Sequence, residues 1–221
     1  MTRKLISEAM GTALLLAAVV GSGIMGERLA QGNVAIALLA NTIATGAALA
    51  ALILTFGPIS GAHLNPAVTI ADAILGGVPW KHVPGYVVAQ IGGALLGVAV
   101  AHLMFELPAY SISLRARSGT SQIFSEFVAT FGLLSVIWGC SRTRPASVPY
   151  AVAAYITAAY WFTASTSFAN PAVTLARALT NTFAGIQPAN VPGFIGAQLL
   201  GAGTATLLFR WLLPNGRSAN A

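Results

Sequence analysis

The stretch Asn65-Pro66-Ala67-Val68-Thr69 recurs unchanged as Asn170-Pro171-Ala172-Val173-Thr174, 105 residues later. Asparagine is among the best helix N-caps and proline suits the first helical position, so each stretch starts a helix. The apolar runs they open, 65–75 and 170–180, are too short to cross a bilayer. About ten helical residues reach about 15 Å, against a hydrocarbon core of about 30 Å. If each asparagine carbonyl oxygen caps its own helix, the amide nitrogen stays free to donate into a cavity. Two such donors orient a water or hydroxylated solute and interrupt any chain of hydrogen bonds along which a proton hops. The positive ends of two helix dipoles meeting there oppose cations. One Asn-Pro-Ala alone is merely a helix start; two copies, each opening a half-length segment, point to a polar site near the membrane midplane.

Transmembrane helices are the elements that must position this site. Of 221 residues 56% are hydrophobic and 7% charged, where a soluble domain carries about 25% charged residues. Apolar runs of spanning length cover 5–25, 34–56, 83–104, 123–140, 148–165 and 191–213, edged by Gly, Pro or charge. Six spans leave no room for a second sizeable domain, so residues 1–221 read as one membrane domain. The start, Arg3-Lys4 before an apolar run, has the outline of a signal peptide. Glu8 interrupts that run and membrane-like sequence follows it, so it reads as the first span.

The domain is an internal duplication, with repeats of approximately 1–110 and 120–221. Ser7-Glu8 matches Ser125-Glu126, and Val83-Pro84-Gly85 through Ala89-Gln90 matches Val191-Pro192-Gly193 through Ala197-Gln198. Three spans per repeat is an odd number, so the repeats are inverted and the half-helices approach from opposite faces. The net charge of +6 is scattered through short inter-span segments with no basic patch, which excludes a nucleic-acid partner. With the amino terminus inside, inner segments hold Arg3, Lys4, Lys81, Arg142, Arg144, Arg210 and Arg217, and outer loops hold Arg28, Arg115 and Arg117. That bias predicts cytoplasmic termini. The single cysteine, Cys140, excludes an internal disulfide or a cysteine metal cluster.

The run Ser60-Gly61-Ala62-His63-Leu64-Asn65-Pro66-Ala67-Val68-Thr69, with the second Asn170-Pro171-Ala172, resembles the signature of the aquaporin (major intrinsic protein) family over nearly the whole chain. The resemblance implies an all-α fold of six transmembrane helices and two half-helices in the cell (inner or plasma) membrane. It also implies a pore in each protomer, a homotetramer in lipid, and passage of small neutral solutes and water, with protons and ions excluded and no cofactor. Glu8 and Glu126 then brace the half-helix loops by accepting backbone N–H bonds. Family spacing places the constriction at Thr45, Ala158, Ser167 and Val173. Members usually carry Arg where Val173 stands; Arg177 lies one helical turn further on, toward the outer end, where a vestibule role is expected. A ring of small residues without the arginine resembles arsenic-resistance-associated bacterial members, which implies glycerol-like polyols and trivalent arsenic or other metalloid hydroxides as solutes.

Two rival readings stand beside this one. A coupled secondary transporter also uses inverted repeats and broken helices, but needs an ionisable midplane site, where only neutral asparagines fall. A strictly water-selective channel needs a narrower ring. No Ser/His/Asp set, phosphate loop or carboxylate pair supports an enzyme. His63, His82 and His102 lack a second ligand at metal spacing. Asp72 and Arg177, again 105 residues apart, read as solvated charges at opposite mouths, and Gly93 and Gly97 as a helix contact.

Overall fold

A computed structural model describes residues 1–213, which form eight α-helices and no strand. Arg217, part of the charge bias above, lies outside the described residues. The first repeat supplies α1 (Thr2–Leu29), α2 (Val34–Ser60), the half-helix α3 (Pro66–Ile74) and α4 (Val83–Met104). The second supplies α5 (Thr120–Thr143), α6 (Val148–Phe162), the half-helix α7 (Pro171–Arg177) and α8 (Val191–Leu212). Three-residue 3₁₀ turns, Trp80–His82, Pro145–Ser147 and Pro188–Asn190, lead into α4, α6 and α8.

Packing repeats as the sequence does. α1 lies against α2 and α4, α5 lies against α6 and α8, and α2 meets α6 between the repeats. Each half-helix rests on both α4 and α8, and α3 touches α7. The close approach of α1 and α4 depends on Gly93 and Gly97, because a Cβ added at either would collide with the Ala9 or Ala13 carbonyl oxygen. Gly201 plays the same part between α8 and the Phe127 backbone of α5. Small residues that let backbones approach are how helices associate where lipid supplies no hydrophobic drive.

Five helical stretches among the described residues are long and apolar enough to cross a membrane. The sixth expected span, 148–165, is shorter than its apolar run. α6 has 15 residues, or about 22 Å at 1.5 Å per residue, and the 3₁₀ turn before it adds about 6 Å. The helix stops because Thr163 takes an extended backbone (φ −107°, ψ 138°) and its hydroxyl donates to the Ala159 carbonyl at 2.6 Å. A threonine that bonds the preceding turn competes with helix continuation.

Candidate functional site

Each half-helix is preceded by a non-helical loop whose conformation costs free energy. Ala62 and Leu64 in the first loop, and Ser167 and Ala169 in the second, have φ of 46°, 49°, 49° and 49°. These lie three and one residues before the respective asparagines. Left-handed backbone in a residue with a Cβ costs about 1–2 kcal/mol, so something must hold the loops in place.

Glu8 and Glu126 hold them. Glu8, fully buried, accepts from the His63 N–H at 3.0 Å, the Leu64 N–H at 2.7 Å and the Ser60 hydroxyl at 2.6 Å. Glu126, also fully buried, accepts from the Phe168 N–H at 2.9 Å and the Ala169 N–H at 2.8 Å. Gln90 donates to Glu8 at 2.7 Å and to the Thr69 hydroxyl at 2.9 Å; Gln198 donates to Glu126 at 2.6 Å and to Thr174 at 2.8 Å. These glutamines and threonines carry no assignment from sequence. Their signal was available, since both pairs recur in the duplicated segments.

With the N–H groups turned toward the glutamates, the loop carbonyls are left over. Among the described residues, the carbonyl oxygens of Gly61, Ala62, His63, Ser167 and Phe168 accept no hydrogen bond from protein, and all five residues line one cavity of about 260 Å³. Backbone acceptors at membrane depth are tolerated where they face a polar lumen. The other wall is apolar, built from Leu15 and Val19 of α1, Leu49 and Ile53 of α2, and Val152 and Ile156 of α6. A solute passing here meets backbone carbonyls and apolar side chains, with the hydroxyls of Thr45 and Tyr160 among them.

The two asparagines meet in the middle. Asn65 Oδ1 accepts from the Ala67 N–H at 2.9 Å, and Asn170 Oδ1 from the Ala172 N–H at 3.0 Å, so both cap their helices and leave Pro66 and Pro171 at the first helical position. Their amide nitrogens are not wholly free. Asn65 Nδ2 donates to the Ala169 carbonyl and Asn170 Nδ2 to the Leu64 carbonyl, both at 2.8 Å. One N–H of each amide ties the two repeats together, and the second remains for the lumen that both residues line.

Beyond the asparagines lie Thr45, Ser167 and Val173, all buried and all lining the cavity. Ala158 does not join them. It is exposed on the outer surface of α6, and the cavity is lined instead by Val148, Val152, Ile156 and Tyr160. These residues are four apart and share one face of the helix. Tyr160 therefore occupies the place expected for Ala158, and its hydroxyl donates to Thr45 Oγ1 at 3.3 Å. Two residues along a helix is more than half a turn, so counting back from Asn170 across a non-helical loop mistook the face.

Arg177 is not a solvated mouth charge either. It is 2% exposed and lines the cavity one turn beyond Val173. Its counterpart Asp72 is half-buried at the opposite end, where it accepts from the Val78 N–H at 2.6 Å and faces His63 Nε2 at 3.9 Å. His102 is fully buried between the Pro108 carbonyl at 2.6 Å and the Thr180 hydroxyl at 2.7 Å, a structural position. Arg117, from the loop after α4, donates to the Gly185 carbonyl at 2.8 Å and the Ser165 carbonyl at 3.1 Å. Burial, then the like charges of Arg177 and Arg115, pulls its pKa down to about 9, which leaves it cationic at neutral pH.

The profile described as Major intrinsic protein matches residues 1–154. Over 217 residues the chain is 54% identical to Aquaglyceroporin AqpS of Rhizobium meliloti (strain 1021), covering 98% of this chain and 93% of that protein. It is 34% identical over 214 residues to Aquaporin NIP6-1 of Arabidopsis thaliana, covering 93% of this chain and 68% of that one. Among solved structures, the X-ray structure of the aquaglyceroporin from Plasmodium falciparum superposes with a TM-score of 0.75, covering 96% of this chain and 97% of that chain at 20% sequence identity.

Proposed function

Since the chain belongs to the major intrinsic protein family, we propose that its lumen admits glycerol-like polyols and neutral metalloid hydroxides, trivalent arsenic among them, as well as water. At the coarser level the protein is a multi-pass membrane channel, passive, passing small neutral solutes such as glycerol and water, and not an enzyme. The observation that carries the finer reading is the two-sided lumen. A polyol presents hydroxyls along one edge and C–H groups along the other, which suits unpartnered carbonyls facing an apolar wall. Beside the Thr45–Tyr160 pair, the small side chains of Ser167 and Val173 leave width for a carbon chain. The relative's printed name, aquaglyceroporin, agrees with this choice of solute.

Purified protein in liposomes tests the reading by stopped-flow light scattering. After shrinkage in hyperosmotic glycerol or arsenite, vesicles are expected to re-swell well above the rate of empty liposomes, with no dependence on an imposed proton gradient. Water flux alone would restrict the pore to water, and a gradient-dependent rate would make it a coupled transporter.

The same proposal covers assembly and orientation: a homotetramer in the cell (inner or plasma) membrane with both termini cytoplasmic. The arginines assigned outside do share one end of the molecule. Arg28 donates to the Phe105 carbonyl at 3.1 Å, and the loop bearing Arg115 pairs with the segment after α7 through Gln187 N–H to Arg115 O at 2.7 Å. A cysteine placed at Ala116 in a Cys140-free background is expected to react with an impermeant thiol reagent on intact cells. Reaction only after permeabilisation would reverse the orientation.

A further inference from the structure

We infer that the cationic donor of this constriction is Arg177, set one helical turn outside Val173 and held there by Phe168 and the Ala184 carbonyl. The inference rests on the channel reading above and deepens it by naming a residue that sets solute selectivity. Three observations carry it.

The first is where the side chain ends. Arg177 Nε donates to the Ala184 carbonyl, while among the described residues neither Nη group has a protein partner and neither is a sealed, unsatisfied atom. A buried guanidinium with open Nη groups, in a residue that lines the lumen, directs its remaining N–H bonds into that lumen. The second is how it is fixed. Its Cζ lies 3.4 Å from the centroid of the Phe168 ring, which Phe194 meets edge-on at 5.3 Å and which Arg117 also faces at 4.9 Å. Phe168 is itself fastened by Glu126 through its backbone N–H. A planar cation stacked on an immobile ring loses little freedom when it binds a solute oxygen. The third is the absence of an ion-pair partner. Among the described residues Arg177 forms no salt bridge, so no carboxylate competes with a solute for its donors.

Val173 therefore leaves the inner level of the constriction uncharged, and Arg177 restores a charged donor at the next level out. A neutral solute loses water beside Thr45, Tyr160, Ser167 and Val173, and its oxygens bond to the Arg177 fork just outside. Arg117 is not among the residues that line the lumen; it is a positioning residue, since it faces the Phe168 ring and donates to the Ser165 and Gly185 carbonyls.

Three substitutions in liposomes separate size from donation. Arg177→Ala is expected to raise erythritol flux relative to water, because it opens the outer level. Arg177→Met keeps bulk without donors and is expected to lower glycerol flux relative to water about tenfold, the factor for one charge-assisted hydrogen bond. Arg177→Lys keeps the charge without the fork and is expected to lie between Met and wild type. Wild-type ratios in the folded Ala and Met variants would remove Arg177 from the filter. If those two fail to fold, a wild-type glycerol ratio in the Lys variant overturns the inference just as directly. Wild-type vesicles closed to glycerol would instead defeat the polyol reading; the Arg177 inference would then be decided by whether Arg177→Ala opens them.

Discussion

Asn65→Leu and Asn170→Leu are each expected to reduce water and glycerol flux at least about tenfold per folded channel, the largest loss of any single substitution considered. Leucine removes three things at once. The half-helix loses its cap on the Ala67 or Ala172 N–H, worth about 1 kcal/mol. The opposite repeat keeps a buried carbonyl, Ala169 or Leu64, without its donor, at a cost of about 1–3 kcal/mol. The lumen also loses an N–H at its middle and gains a branched apolar side chain, so a dehydrated solute meets one asparagine donor there instead of two. Stopped-flow permeability normalised to folded protein is the measurement. Asn→Asp at either position keeps the capping oxygen but not the amide donors, and is expected to retain more of the fold than of the flux. Unchanged flux in either leucine variant would sink the assignment of the asparagines to the pore.

Val173→Arg is the second large effect. Val173 is 5% exposed, faces the lumen beside Thr45, Tyr160 and Ser167, and stands one turn from Arg177. A second guanidinium there occupies part of the opening and lies about 5–6 Å, Cβ to Cβ, from a like charge. Glycerol and arsenite flux are expected to fall about tenfold or more relative to water, as one hydrogen-bonded site becomes an obstruction for solutes wider than water. Proton leak should stay low in both proteins, because the converging half-helices and paired asparagines are untouched. Uptake and osmotic water flux are to be compared in the same vesicles. A ratio equal to that of the parent protein would show that Val173 does not line the constriction and would withdraw the case for a polyol- and metalloid-permeable filter.

Much of this was legible in the sequence because it is local and written twice. An Asn-Pro pair starts a helix through atoms of its own residues, so two copies at equal spacing announce two half-helices before any packing is known. The glutamates at positions 8 and 126 were readable for a related reason. Their recurrence at matching positions of the two repeats is in the sequence itself, and their bracing role is what the resemblance to the aquaporin family implies. The matched Gln90 and Gln198 were visible as a repeat, but their role was not, since nothing in a glutamine on an apolar helix says that it bridges a glutamate and a threonine.

What only the tertiary structure decided is which side chains face the lumen and what their polar atoms touch. Ala158 and Tyr160 differ by two residues, and the choice between them depends on the rotation of α6 against α2, which no count of residues across the loop 163–169 determines. The amide nitrogens of Asn65 and Asn170 bond to carbonyls more than a hundred residues away, so a reading confined to each motif left them free. Arg177 reads from sequence as the last charged residue of a short helix, a place where arginine is ordinarily solvated. It is held inward because Phe168 and the Ala184 carbonyl, from two different segments, converge on it. Helix starts and periodicities follow from forces within a few residues, and sequence carries them. The facing of a pore follows from how distant helices settle against one another, and only their packing fixes it.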